Sequence, residues 1–409
     1  MHEDHTLPTV AVNLVYRVGS RDEEVKRTGF AHLFEHLMFM GTRRAPPKMF
    51  DSWMEAAGGA NNAWTSEDLT DYHEHGPPGA LGLLLWLEAD RLEGLGREID
   101  KAKLDLQRDV VRNERRQSYE NVPYAKVELR MPELLWPDNH PYHHTVIGSH
   151  EDLEAASVED VRRFFDKYYV PSNAALVVAG DVKPAEVDET VKKYFGSIAG
   201  GARPARAEAK MPPRLGKVVR ETMEDKVELA KIVMTFHSPA RFAAGDADLD
   251  LFAAVLSTGK SSRLYKALVY DKPFAQSVTA VQSSADLVST FTIEVVARPN
   301  VSLDDLEKAI DAVLADAVSK PPAEDEMRRA KSRYETSFVS GLQSIEARAR
   351  LLAIYEVETG DPGFVDKDLN RYRAATAQTV FDWAKKTVTL GERVVVRVVP
   401  KDASKGGAP

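Results

Sequence analysis

Apolar and polar positions alternate along this chain in an order that runs through twice. In the first half, "TVAVNLVYRVGS" (9–20) alternates and is rich in β-branched residues, which predicts a strand. "GFAHLFEHLMFMG" (29–41) lies between two glycines and predicts a helix. "GGANNAWTSEDLTDYHEHGPPG" (58–79) predicts two short strands ending in a turn. Helices are predicted over 80–95, over about 101–121 (stopping before Pro123), and in "AASVEDVRRFFDKYY" with Ser157 as N-cap. "NAALVVAGDV" (173–182) predicts a buried strand, and "PAEVDETVKKYFGSI" a helix after it.

At "GGARPARAEAKMPPRLG" (200–216) the texture changes to Gly, Pro, Ala and Arg, as in a linker. Beyond it the order recurs. A strand in "LAKIVMTFHSP" is followed by helices in "ADLDLFAAVLST" and "SRLYKALVY", strands through "STFTIEVVARP", further helices, and a last strand in "RVVVRVVP". The strands at 176 and 394 each close their half. The prediction is an α+β protein of two similar domains, 1–199 and 217–409, with 200–216 between them.

The length of 409 residues also favours two cores over one. Hydrophobic residues at 43% and charged residues at 29% are ordinary for a globular chain, and a net charge of −9 speaks weakly against a nucleic-acid surface. The absence of cysteine excludes disulfides and thiolate metal sites. The longest apolar run, "ALGLLLWLEADRL" (80–92), is too short for a membrane helix and ends in charges. "MHEDHTLPTV" has no signal-peptide pattern, so the chain as it stands reads as cytoplasmic. A strand-like run follows Met1 almost at once, which suggests a natural start upstream; a periplasmic placement is then the alternative.

The chemistry concentrates in "HLFEH" (32–36). On a helix His32, Glu35 and His36 share a face, while Phe30, Leu33, Phe34, Leu37, Met38 and Phe39 make the other sides apolar. A carboxylate in such surroundings is costly unless a cation compensates it. Two imidazoles one turn apart suit zinc, and the glutamate beside them suits a general base. From the residues alone the third ligand stays open among Glu55, Glu67, Glu74, Glu88 and Glu114. Glu114 is favoured because it shares a partly apolar helical face with Gln107, Val110 and Val111. His73 and His75 in "DYHEH" share a strand face and could bind a metal, but solvated strand residues explain them adequately; His143 and His144 read as loop residues.

The order H-x-x-E-H is the inverted zinc-peptidase motif. With "VYRVGSRDE" (15–23), "GGANNAWTSED" (58–68), "VVRNE" (110–114), "HPYHHTVIG" (140–148), "NAALVVAGDV" and "SSRLYKAL", the chain resembles the pitrilysin or insulinase family over almost its whole length. The smaller bacterial members similar to mitochondrial processing peptidase are the nearest. The resemblance implies zinc held by His32, His36 and Glu114, with Glu35 as catalytic base. It implies that Gln107 replaces a glutamate that helps position the site in some relatives. It implies that Asn62, Ala63 and Trp64 lie on an edge strand receiving an extended peptide substrate. Family members usually begin with a strand before the position of His5, and this strand is expected to be missing here.

Active relatives also carry an arginine and a tyrosine, seven apart, in the C-terminal half. The matching stretch, "LVYDKPFAQ" (268–276), has Val269 and Gln276 instead. Arg263 and Tyr270 have the same spacing, but Arg263 matches another family position, in "SSRLY". The expectation is therefore the zinc-carrying half of a heterodimeric endopeptidase whose homologous, zinc-less partner supplies the Arg–Tyr pair. The alternatives are a self-sufficient homodimer and a non-catalytic scaffold subunit.

Overall fold

The computed structural model describes residues 1–206 and 215–401; residues 207–214 of the expected linker lie outside the described residues. In chain order the first elements are β1 (His2–Glu3), β2 (Val10–Tyr16), α1 (Phe30–Leu37), α2 (Met49–Ala56), β3 (Ala60–Thr65), β4 (Thr70–Gly76), α3 (Leu81–Glu98) and α4 (Lys101–Arg115). Then follow α5 (Lys126–Leu135), α6 (His150–Ala155), α7 (Val158–Tyr168), β5 (Ala174–Gly180) and α8 (Pro184–Phe195). Beyond residue 214 come β6 (Val218–Asp225), β7 (Lys231–Ser238), α9 (Asp246–Ser257), α10 (Arg263–Tyr265), β8 (Ala275–Ser283), β9 (Ser289–Ala297) and α11 (Leu303–Ala317). The last are α12 (Glu324–Gly341), α13 (Ile345–Thr359), α14 (Val365–Ala374), α15 (Ala377–Thr387) and β10 (Arg393–Pro400).

These elements build two compact units, each around a five-stranded sheet. The first sheet has the order β1-β5-β2-β4-β3 and the second β6-β10-β7-β9-β8, the same topology strand for strand. In each the first pair is parallel and the other three are antiparallel. The α+β class and the doubled design are therefore as expected. The first strand is not wholly missing: His2–Glu3 occupies its place beside β5 as two residues, where β6 has eight.

All seven residues of β2 are buried, because helices cover both faces of its sheet. Val10 and Val12 pack with Phe50 and Met54 of α2, Leu84 and Leu85 of α3, and Val187 of α8. Ala11 and Val15, on the other face, pack with Ala349, Ala353 and Val357 of α13. Small side chains at Ala11, Ala175 and Ala179 facing Ala349 and Ala353 let that helix lie close to the sheet.

The second unit repeats the plan. Ile232, Met234 and Phe236 of β7 face α9, α11 and α15. Val233, Val394, Val396 and Val398 face Val127 and Leu135 of α5. The covering helix α5 comes from the N-terminal half of the chain, as α13 of the first unit comes from the C-terminal half. The compact units thus do not follow a cut at 200–216: Gln117–His143 belongs with the second unit and Phe338–Val365 with the first. The reason is burial, since each sheet's second apolar face finds its helix in the other half of the sequence.

Candidate active site

The geometry starts at the N-terminus of α1. Gly29, its N-cap, has φ +83°, and a Cβ there would stand 2.6 Å from the carbonyl oxygen of Ile147. Buried Glu23 accepts the backbone N–H groups of Gly29 at 2.9 Å and Ala31 at 2.7 Å, which would otherwise be orphan donors of the first turn. Thr28 donates through its backbone and hydroxyl to Asp152 at the start of α6. The segment around α6 also holds α4: Arg108 donates to the carbonyls of Leu153 and Ala156, and Arg115 to that of Gly148. One segment therefore fixes both helices that carry the predicted ligands.

Phe34 anchors α1 from beneath, against Tyr169 with centroids 4.4 Å apart. The opposite face turns His32 and His36 toward α4, their rings 4.8 Å apart and nearly perpendicular. His32 Nε2 is 3.7 Å from Glu114 Oε1, and His36 Nε2 is 3.2 Å from Glu114 Oε2. One donor atom from each of the three residues lies within 4.8 Å of the others, the one such group among the described residues. Burial pushes His32 down to about 4, with His36 adding to the shift, so its ring is neutral at pH 7. The bond from His36 holds the Glu114 carboxyl below its ordinary value, so it is ionised. Neutral imidazole and ionised carboxylate are the states in which these groups bind a metal. Two nitrogens and one oxygen, with no thiolate, make a donor set that suits a zinc-like divalent ion with an open position.

Glu35 shares the helix face and is buried. Thr65, the last residue of β3, donates its hydroxyl to Glu35 Oε2 at 2.6 Å. Burial raises the Glu35 carboxyl, while Thr65 and His36 pull it back. Oε2 is thus anchored, leaving Oε1 for a reacting proton.

The other glutamates go elsewhere. Glu74 and Glu88 are buried on fully buried Arg91, whose Nη2 lies 2.9 Å from Glu74 Oε1 and whose Nε lies 2.9 Å from Glu88 Oε2. Glu55 is exposed on α2. The inward stripe of α4 differs from the expected one. Leu104 and Val111 are buried, and Gln107 and Glu114 fall in line with them, whereas Val110 lies off the stripe at 39% exposure. Gln107 donates its amide to Met40 Sδ at 2.8 Å, so it supports the chain just past α1 and not a ligand directly.

The predicted peptide edge is the outer strand β3, paired among the described residues with β4 alone. Alternation puts Ala63 and Thr65 on the α1 face and Asn62 and Trp64 on the α13 face. The Trp64 indole packs with Leu69 and the α13 layer, so at the edge it can offer only backbone. Asn62 Oδ1 accepts the N–H of Ala63 at 2.9 Å. Glu23 and Thr65 were not singled out from the sequence, although both lie in stretches that carry the family resemblance.

Known proteins resemble this chain in sequence and in fold. Residues 1–141 match the family model described as insulinase (peptidase family M16), and residues 155–334 match the peptidase M16 inactive domain. The zinc protease PqqE of Helicobacter pylori is 31% identical over 87% of this chain and 80% of that protein. A probable mitochondrial-processing peptidase subunit beta of Arabidopsis thaliana is 25% identical over 74% of this chain and 58% of that protein. The crystal structure of a protease from Helicobacter pylori superposes with a TM-score of 0.89 at 28% identity, covering 96% of this chain and 94% of that one. The chain belongs to peptidase family M16, the insulinase or pitrilysin family. No helix among the described residues is long and apolar enough to cross a membrane.

Proposed function

We propose that this protein is a zinc-dependent endopeptidase subunit that hydrolyses peptides or unfolded segments. The observation that carries the reading is the convergence of His32, His36 and Glu114 beside buried Glu35, next to the open edge of β3. His32, His36 and Glu114 would hold the zinc, as the names of the related zinc proteases suggest. When bound, zinc supplies Lewis acidity for the scissile carbonyl and for water. Glu35 takes the proton of the attacking water on Oε1 and hands it to the leaving amine, while Thr65 fixes Oε2. The outer edge of β3 around Asn62 and Ala63 aligns the peptide backbone in extended form, with Asn62 Oδ1 giving up the Ala63 N–H to the substrate. The inactive-domain match covers 155–334 and leaves out His32, Glu35, His36 and Glu114, so it does not weigh against them.

The subunit works with a homologous, zinc-less partner that supplies the missing Arg–Tyr pair. Supporting this, Val269 and Gln276 stand at those positions, and Arg263 is already paired with Glu326 through two bonds of 2.8 and 2.7 Å. Tyr270, its sequence counterpart, is 78% exposed. The reading is tested by cleavage of a quenched fluorescent peptide library by the zinc-loaded chain, alone and with the partner, with Glu35→Gln as control. Activity only in the mixture, lost in the variant, is expected. Robust turnover by the chain alone would replace the heterodimer with a homodimer; zinc binding without turnover in either case would favour a scaffold subunit.

A further inference from the structure

The second unit carries an open cleft of about 480 Å³ where the end of β7 meets α9 and α15. That volume lies in the range of small-molecule sites. Ala240, Ala243 and Ala244 give it a low apolar wall, and Trp383 of α15 lines it beside them. Gly245, the N-cap of α9, fixes where that indole lies. A Cβ on Gly245 would stand 2.3 Å from Trp383 Cδ2, and its φ of +96° favours glycine.

The charges along the cleft are few. Among the described residues its one lysine or arginine is Lys386, in the last turn of α15, and its one carboxylate is Glu392, just before β10. Burial lowers the His237 ring below its ordinary value, so Lys386 is the cation at pH 7. Its Nζ stands 4.4 Å from the centroid of the Trp383 ring, and it makes no ion pair among the described residues. A lysine in a last helical turn complements the helix dipole whether or not anything binds to it. The dipole does not account for the rest of the lining. Ser238 is 3% exposed, and its hydroxyl has no hydrogen-bond partner among the described residues. Alternation along β7 turns Ser238 to the same side as Phe236, toward α9 and α15. A buried hydroxyl left unpaired is the kind of group that a ligand completes.

We propose that this cleft binds a small organic carboxylate carrying an apolar group, the chemistry that ends a peptide chain or a free amino acid. The carboxylate pairs with Lys386, and the apolar group lies against Trp383 and the three alanines. Glu392 stands ready for the ammonium of a free amino acid. Peptide hydrolysis releases such carboxylates, but the binding rests on the residues of this cleft and not on the zinc reading.

The test is isothermal titration calorimetry of the full chain with N-acetylphenylalanine, and with the amide of the same compound as control. Saturable binding of the acid is expected, and none of the amide at the same concentrations. Lys386→Gln should weaken the acid by about tenfold or more. Ala244→Phe, which fills the cleft, should abolish binding. Both positions are exposed, so both variants should keep the melting temperature of the unaltered protein. Free phenylalanine separates the two sources. Binding tighter than that of the acetylated acid assigns the cleft to free amino acids, and weaker binding assigns it to peptide C-termini. Equal binding of acid and amide would overturn the proposal. An unchanged affinity in Lys386→Gln would overturn it too, since a carboxylate held elsewhere, at zinc for instance, does not sense that substitution. So would the absence of binding by both carboxylates at millimolar concentration.

Discussion

Gly148 meets Gly29 backbone to backbone: a Cβ on Gly148 would stand 2.3 Å from the Cα of Gly29. Both glycines have positive φ, +67° and +83°. Through this contact the loop before α6 seats the first turn of α1. Gly148→Ala should therefore cost about 1–3 kcal/mol in backbone strain alone, before the clash is counted. Calorimetry should show a lower melting temperature, and zinc affinity should fall with it because α1 carries two of the proposed ligands.

Glu35 lies beside the proposed ligands without being one. Glu35→Gln should lower kcat by about 10²–10⁴ while zinc content, read by elemental analysis, stays unchanged. Thr65→Val removes the bond to Oε2 and should lower kcat by roughly tenfold. If Glu35→Gln instead lost its zinc, the assignment of Glu35 as base would fail.

Glu114 supplies the only anionic donor of the set. Glu114→Gln should weaken zinc binding by more than the roughly 10–100-fold typical of an outer partner. Gln107→Ala should have the smaller effect, since its amide meets Met40 and no ligand. Competition titrations of the two variants decide the order.

Asp250 makes stability depend on pH in the second unit. Burial pushes its carboxyl from 3.8 up to about 6, although Tyr372 donates to it at 2.6 Å. The folded protein holds this proton more tightly than the unfolded chain does. The resulting stabilisation is full below about 3.8 and is lost as pH rises through about 6. Asp250→Asn keeps an acceptor for Tyr372 and cannot ionise. Its stability relative to the unaltered protein should rise between those limits, by on the order of 2 kcal/mol, in denaturant titrations at pH 4 and pH 7. A difference that does not change with pH would refute the account.

The motif helix was legible because period, burial and chemistry agree over eight residues: apolar on most sides, with His32, Glu35 and His36 on one. The paired strands β3 and β4 were legible from alternation and glycine. β6 was not, because "VVRETMED" is mostly polar and partly exposed, and what makes it a strand is parallel pairing with β10, some 175 residues away. Glu23 was equally hidden. A glutamate in "SRDEE" looks like surface charge, and only the fold shows that its carboxylate closes the first turn of α1. His73 reads as solvated for the same reason: its partner Glu346 arrives from the far end of the chain.

The exchange of Gln117–His143 and Phe338–Val365 between the compact units has a consequence for dissection of the protein. A gene cut between codons 206 and 215 yields two polypeptides, each bearing a helix that the other's sheet requires. Expressed singly, the N-terminal piece would expose Ala11, Val15 and Val177 to water, and the C-terminal piece Val394, Val396 and Val398. Such pieces should aggregate apart and become soluble when co-expressed. Two sheets of one topology are in this way indivisible.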